Sequence, residues 1–189
     1  MLPTNLRYSL PSSVQSRTFL VSSVMPGDGK STVVANLGVV SALSGLKTLV
    51  VDADMRRPRQ HEILGQCTSR GLSSLLVGEV AEIDHVLQAT ATEGLSVLPC
   101  GTGPPNPAEL LGSSRMTEIL AELTTKVDVI ILDAPPLLSV ADAGILASQV
   151  AGVIVVACAG RTKIGASRSA RLLYPSDAAA ERRGEEVAG

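Results

Sequence analysis

The sequence predicts an α/β fold, a doubly wound and mainly parallel sheet flanked by helices. Hydrophobic residues make up 45% of the 189 residues and aromatic residues only 2%, which indicates an aliphatic core. Apolar runs alternate along the chain with stretches of helical spacing, as strands and helices do in doubly wound sheets. The runs are nearly continuous in Val, Leu and Ile, which is typical of parallel strands that are covered on both faces.

Five strands and five helices follow from these patterns. Strands are predicted at residues 18–22, 48–52, 95–99, 127–132 and 153–158. Helices are predicted at residues 30–43, 71–77, 83–89, 114–124 and 141–150. The Gly- and Pro-rich stretch at residues 101–107 is predicted to be a loop.

Charge and cysteine content limit the possible partners and redox chemistry. The formal net charge is −2, so no electrostatic attraction to nucleic acid is implied and no nucleic-acid partner is expected. Cys67, Cys100 and Cys158 lie far apart in sequence and show no metal-binding spacing. We expect them to be reduced, buried thiols in a cytosolic protein.

A glycine-rich segment between the first strand and the first helix has the residues of a phosphate-binding loop. Gly27 and Gly29 let the backbone curl so that successive amides face one anion, and the helix that begins near Lys30 directs its positive end there. Lys30 supplies an ammonium for the β- and γ-phosphates of ATP, and Ser31 supplies a hydroxyl ligand for Mg²⁺. The predicted nucleotide contacts are Pro26, Gly27, Asp28, Gly29, Lys30, Ser31 and Thr32. Val24 stands at the first glycine position of the usual pattern, which leaves open a glycine-rich turn that binds nothing.

Aspartates end two further predicted strands. Ligands of an open parallel sheet lie at the carboxyl ends of its strands, so Asp52 and Asp54 are expected to face the bound phosphates. Two carboxylates there can hold Mg²⁺ and accept a proton from a hydroxyl nucleophile; the alternative is that both only cap the next turn. Asp133 follows four apolar residues and is expected at the metal, directly or through water. The predicted metal ligands are therefore Ser31, Asp54 and Asp133.

Three motifs in this order resemble the bacterial tyrosine kinases that accompany capsular and exopolysaccharide export. Members of that family carry a Walker A loop, a second acidic element of the form hhhDxDxR and a Walker B strand that ends in D-x-P-P. The matching segments here are residues 27–32, 50–56 and 129–136, and the resemblance runs from about residue 4 to residue 163.

The resemblance implies an ATP-dependent, autophosphorylating protein-tyrosine kinase with a P-loop NTPase fold and ATP and Mg²⁺ as cofactors. Asp52 is implied as the catalytic base, while Lys30, Ser31, Asp54 and Asp133 arrange Mg·ATP. Catalytic roles thus fall on Asp52, Lys30 and Asp54. The implied partners are a transmembrane polysaccharide co-polymerase that activates the kinase, in the same or a separate chain, tyrosine-bearing protein substrates, and further copies in a homo-oligomer. The implied location is cytoplasmic, at the inner face of the cell membrane, which the kinase reaches through its activator.

Two other functions share the same binding residues. The related cell-division and chromosome-partitioning ATPases carry an extra lysine and glycine early in the loop, where this chain has Met25 and Pro26. A non-catalytic, nucleotide-gated partner of a polysaccharide co-polymerase would keep every nucleotide contact, and only a phosphotransfer assay separates it from a kinase.

The resemblance also predicts the domain organisation. Residues 1–17 are interpreted as the remnant of an N-terminal helix or linker, residues 18–173 as the P-loop kinase domain, and residues 174–189 as a disordered tail whose native origin is left open. We expect the C-terminal strand of the family's sheet to be missing and the chain to be a fragment with weak or no activity. The only tyrosines are Tyr8 and Tyr174, so the family's C-terminal tyrosine cluster has no counterpart.

Overall fold

A six-stranded sheet forms the centre of the molecule, of which the computed structural model describes residues 17–139 and 141–158. The spatial order of the strands is β3-β4-β2-β5-β1-β6, and all neighbours run parallel except β3 and β4. The strands are β1 (Arg17–Ser23), β2 (Thr48–Asp52), β3 (Gln88–Ala89), β4 (Leu95–Leu98), β5 (Val129–Asp133) and β6 (Gly152–Val156).

Helices cover both faces of this sheet. They are α1 (Lys30–Leu43), α2 (Gln60–Ile63), α3 (Leu72–Leu76), α4 (Pro107–Leu111), α5 (Ser114–Lys126) and α6 (Asp142–Ala147), with a 3₁₀ turn at Ile83–His85. Successive strand residues point to opposite faces, so the parallel strands contribute to two hydrophobic cores. Val50 of β2 packs in the smaller core with Val34 of α1, whereas Leu49 packs in the larger core with residues of α3, α5 and α6.

The predicted mainly parallel α/β sheet is confirmed, and α1 and β2 have the predicted bounds. The other predicted strands differ by one or two residues at their ends. The predicted strand 127–132 begins later, at Val129, because the amides of Asp128 and Val129 both bind the carbonyl of Lys47 where β5 enters the sheet.

The predicted helix at residues 83–89 is wrong over its second half. Ile83 and Val86 are buried with helical spacing, but the helical turn ends at His85. Gln88 and Ala89 instead pair with Val97 and Ser96 as the short antiparallel strand β3. One helical turn is therefore enough to bury Ile83 and Val86. The residues that follow adopt the extended conformation that pairing with β4 requires.

Several expectations fall on residues outside the described ranges. The N-terminal remnant, the tail from residue 174, the missing C-terminal strand and both tyrosines belong to this group. Among the described helices, none is long and apolar enough to span a membrane. Of the three thiols expected to be buried, only Cys100 is; Cys67 is exposed and Cys158 is intermediate.

Candidate functional site

The carboxyl ends of β1, β2 and β5 meet at one edge of the sheet. β5 lies between β1 and β2, and its last residue, Asp133, is the register partner of both Val21 and Asp52. The loop after β1 leads into α1, and the segment after β2 carries Asp54. The predicted convergence of these three strands on the glycine-rich loop is therefore observed.

The loop after β1 owes its shape to two glycines. Gly27 and Gly29 have φ of 83° and 89°, in the left-handed region that favours glycine. A Cβ at Gly29 would meet open space, so the backbone angle and not crowding requires glycine there. The carboxylate of Asp28 turns back into the loop, where Oδ2 accepts a 3.0 Å hydrogen bond from the amide of Met25.

Val24 explains why the loop departs from the usual glycine pattern. Its side chain is fully buried in the larger core, and its amide donates to the carbonyl of Val156 on β6. The residue at the first glycine position thus anchors the loop to the sheet, and the curl that faces solvent begins one residue later. Pro26, Gly27 and Gly29 are exposed on that curl, and Thr32 is exposed in the first turn of α1.

Lys30 joins the loop to the acidic residues. Its Nζ lies 2.7 Å from Oδ2 of Asp54 and 3.0 Å from Oδ1 of Asp133, and it also donates to Oγ of Ser31 at 3.2 Å. Burial lowers the pKa of the Lys30 ammonium, but the charges of Asp133 and Asp54 more than offset this and hold the pKa above its ordinary value. The structure therefore brings four predicted residues into one hydrogen-bonded cluster.

Asp52 lies beside this cluster. One of its carboxylate oxygens accepts hydrogen bonds, and the other has no hydrogen-bond donor among the described residues. Oδ2 accepts hydrogen bonds from the amides of Arg59 at 3.0 Å and Gln60 at 2.9 Å. Oδ1 is buried and has no hydrogen-bond partner among the described residues. Burial, with the nearby charge of Asp133, raises the pKa of Asp52 to about 7, so that its carboxyl changes protonation state near neutral pH.

Gln60 is a residue of this site that sequence reasoning missed. It is the first residue of α2, eight positions after Asp52, and its side chain is fully buried. Nε2 donates to Oδ2 of Asp133 at 2.7 Å and to the carbonyl of Ser31 at 3.0 Å. No motif points to a glutamine at this position; its place at the start of a helix just after the second acidic element is the one available signal.

A second missed contact links the segment after β2 to α6. Nε and Nη2 of Arg56 donate to the two carboxylate oxygens of Asp142 at 2.8 and 3.1 Å. The Asp142 side chain is fully buried, whereas 44% of the Arg56 side chain is exposed. Arg56, the last residue of the second acidic motif, is thus held by an intramolecular partner.

Glycine permits a close backbone approach next to the acidic residues. The amides of Leu72 and Ser73 donate to the carbonyls of Pro99 and Cys100, which ties α3 to the end of β4. A Cβ on Gly71 would lie 2.0 Å from the Pro99 carbonyl oxygen, so only glycine fits. Cys100 is thereby held near the site; its burial, with the charges of Asp52 and Asp54, raises its thiol pKa to about 12 and keeps the thiol neutral.

The donor set fits Mg²⁺. Ser31, Asp54 and Asp133 offer hydroxyl and carboxylate oxygens, the hard ligands that Mg²⁺ takes in proteins. Within residues 17–139 and 141–158, no three His, Cys, Asp or Glu side chains form a metal site by themselves. Mg²⁺ commonly uses only one or two carboxylates beside phosphate and water, and the buried acceptors Oδ1 of Asp52 and Oε1 of Gln60 could accept hydrogen bonds from such water.

Comparison with known proteins shows which family the chain belongs to. The AAA domain family matches residues 16–173. The tyrosine-protein kinase YwqD of Bacillus subtilis is 41% identical over 149 residues, which cover 79% of this chain and 62% of YwqD. The solved kinase domain of VpsO is 33% identical with a TM-score of 0.81, and the match covers 90% of this chain and 84% of that domain. The chain belongs to the bacterial tyrosine kinase family.

The bacterial tyrosine kinases share their fold with nucleotide-binding proteins of other function. The cobyrinic acid a,c-diamide synthase of Mycobacterium smegmatis, solved with bound ADP and magnesium, has a TM-score of 0.70 and 25% identity to this chain. That match covers 84% of this chain and 66% of the synthase. The chain spans about three fifths of the length of YwqD, so it corresponds to part of a bacterial tyrosine kinase of that size.

Proposed function

We propose that the chain is the catalytic domain of an ATP- and Mg²⁺-dependent protein-tyrosine kinase that regulates capsular or exopolysaccharide synthesis and export. The observation that carries the proposal is the buried Lys30 ammonium between Asp54 and Asp133, with Asp52 beside them. Family membership supports the choice of phosphotransfer to tyrosine, because relatives of this chain are named tyrosine-protein kinases.

Nucleotide binding follows from the loop and its helix. The amides of the loop and the N-terminal end of α1, which is 14 residues long, present partial positive charge to an anion. Lys30 adds a full charge for the β- and γ-phosphates. Ser31, Asp54 and Asp133 would hold Mg²⁺, which when bound neutralises charge on the phosphate oxygens.

Asp52 is suited to accept the proton of the attacking hydroxyl. In the transfer, the tyrosine oxygen bonds to the γ-phosphorus while the bond from that phosphorus to the β,γ-bridging oxygen breaks, and ADP leaves with the bond's electron pair. The phenolic proton passes to Oδ1 of Asp52, which has no protein donor among the described residues. A base works best when its pKa lies near the working pH, and the pKa of Asp52 is about 7.

The partners and location of the complete protein are part of the same proposal. A transmembrane polysaccharide co-polymerase would activate the kinase, in the same or a separate chain, and hold it at the inner, cytoplasmic face of the cell membrane. Its substrates would be tyrosine-bearing proteins, and the complete protein would form a homo-oligomer. Support comes from membership of the bacterial tyrosine kinase family.

Phosphotransfer by the complete protein tests the assignment. With Mg·ATP and a Glu-Tyr copolymer as acceptor, Asp52→Asn should lower the transfer rate by about 10²–10⁴-fold, because that is the usual contribution of a general base. ATP affinity should stay within a few-fold of the wild type. Asp84→Asn is the matched control, since Asp84 is exposed and pairs with Lys126 away from the site.

Three results would contradict the proposal in different ways. Full phosphotransfer by Asp52→Asn would remove Asp52 from the role of base. Hydrolysis of ATP by the wild type without phosphotyrosine would indicate an ATPase of the chromosome-partitioning type. Nucleotide binding with neither reaction would indicate a nucleotide-gated partner of a co-polymerase.

A further inference from the structure

One buried residue connects three of the segments that build the site. Gln60 bonds Asp133 at the end of β5 and the Ser31 carbonyl in the first turn of α1 through its side chain. Its backbone amide bonds Oδ2 of Asp52 at the end of β2. Ser31, Asp52 and Asp133 thus meet at a residue that carries no charge and belongs to none of the three motifs.

The hydrogen-bond partners fix the orientation of the Gln60 carboxamide. Both groups that Nε2 contacts, a carboxylate oxygen and a backbone carbonyl, only accept hydrogen bonds, so the amide nitrogen must face them. Both N–H bonds of the amide are thereby used. Oε1 is left buried without a partner among the described residues.

These bonds restrict two carboxylates that would otherwise repel each other. Asp52 and Asp133 are opposite each other on β2 and β5, and both are fully buried. The Gln60 side chain holds Oδ2 of Asp133, which leaves Oδ1 for Lys30. The backbone amide of Gln60 donates to Oδ2 of Asp52, and Oδ1 is left without a donor among the described residues.

We propose that Gln60 is a positioning residue for phosphotransfer, holding the metal-side carboxylate of Asp133 and the base Asp52 in fixed orientations relative to the phosphate loop. The inference rests on the proposed function for the identity of the reaction. Gln60 acts through its neighbours: it orients Asp133 toward Lys30, where this carboxylate would help to hold Mg²⁺, and it ties that carboxylate to α1 through Ser31. Residues that orient metal ligands in this way typically change metal affinity or activity by about 10–100-fold when they are replaced.

Two substitutions separate the side-chain bonds from the rest of the residue. Gln60→Met keeps a similar length and volume and the backbone amide but loses both side-chain donors. Gln60→Asn keeps the donors on a shorter stem that cannot reach Asp133 and Ser31 together. Gln66→Met is the matched control, because within the described part of the chain Nε2 of Gln66 donates to the nearby carbonyl of Leu64 alone.

The experiment measures binding of a fluorescent ADP analogue to the complete protein as Mg²⁺ is titrated, with steady-state kinetics in parallel. Gln60→Met should raise the Mg²⁺ concentration for half-maximal binding by about 10-fold, and Gln60→Asn by a smaller factor in the same direction. The affinity for the analogue without Mg²⁺ and the KM for ATP at saturating Mg²⁺ should both stay within twofold of the wild-type values. The kcat should fall by about 10-fold or more. The control should match the wild type.

The outcomes distinguish this inference from the proposed function. If the wild type binds the analogue in a Mg²⁺-dependent manner and both Gln60 variants titrate as it does, the positioning role is wrong. If Gln60→Met does not fold, Gln60→Asn decides alone by the same criterion. If the wild type shows no Mg²⁺-dependent binding, the proposed function fails and the inference fails with it.

Discussion

Asp52 and Asp133 are register partners on neighbouring parallel strands, so two buried carboxyl groups leave the same edge of the sheet side by side. The single ammonium of Lys30 contacts Asp133 and Asp54, while the hydrogen bonds to Asp52 from the described residues come from backbone amides alone. Asp52 is therefore the member of the set whose charge is least compensated, and its ionisation should oppose folding.

Protein stability should fall as the pH rises from about 4 to about 7 because of Asp52. The pKa of this carboxyl is about 7 in the fold against 3.8 ordinarily, so the folded state binds the proton more tightly. The penalty is absent below pH 4, grows as the unfolded chain ionises, and is complete above pH 7, where it is on the order of a few kcal/mol. Urea denaturation in the presence of a chelator measures the free energy of unfolding at each pH. This free energy should depend less on pH in Asp52→Asn than in the wild type.

Asp84→Asn is the matched control, because Asp84 is exposed and pairs with Lys126 away from the site. If the free energy of unfolding changes equally with pH in the wild type and in Asp52→Asn between pH 4 and pH 7, the pKa of Asp52 is not raised in the fold.

Lys30→Met should weaken Mg·ATP binding by roughly 1.5–3 kcal/mol, because a charge-assisted contact to phosphate is lost. Calorimetric titration measures this directly. Lys47→Met is a suitable control, since Lys47 is an exposed lysine just before β2, at the opposite end of the strand from Asp52. Equal affinity of the Lys30 variant and the wild type would rule out the loop as the phosphate site.

Arg56→Ala should destabilise the fold by about 1–2 kcal/mol, because it leaves the buried carboxylate of Asp142 without its arginine. The value lies in the lower part of the usual range because Arg56 itself is 44% exposed and water screens the pair. Arg57→Ala, at the exposed neighbouring position, should change stability by less than about 0.5 kcal/mol. Denaturation midpoints that are the same for the two variants would show that the ion pair contributes no stability.

Gly71→Ala should cost about 3 kcal/mol or more, because the new methyl group would lie 2.0 Å from the Pro99 carbonyl oxygen and neither backbone segment can move freely. Gly103→Ala is the control: its methyl group would make an ordinary 3.5 Å contact with the Met55 carbonyl oxygen. Thermal unfolding compares the two, and equal melting temperatures would contradict the close packing of α3 on the end of β4.

Features that depend on short stretches of sequence could be predicted. α1 has the predicted bounds because Gly29 and Lys30 mark its beginning by local backbone chemistry. β2 was predicted correctly because an apolar run ends abruptly at Asp52. The convergence of Lys30, Asp54 and Asp133 followed from a general rule of parallel sheets, and it did not require knowledge of any contact.

Features that depend on tertiary partners could not be predicted. The Arg56–Asp142 pair joins residues 86 positions apart, and the sequence around either residue does not indicate its partner. Gln60 has the same difficulty, because its importance lies in Asp133, 73 positions away. The short strand β3 formed where local spacing favoured a helix, since pairing with β4 outweighed local preference.

The strand order has a consequence for how the protein is made. β5 lies between β1 and β2, although both are synthesised long before it. A nascent chain that has released Lys30, Asp52 and Asp54 from the ribosome still lacks the strand that joins the two halves of the sheet. The ability to bind nucleotide should therefore appear only late in translation. Until then the apolar strands β1 and β2 lack their shared neighbour β5 and are targets for chaperones.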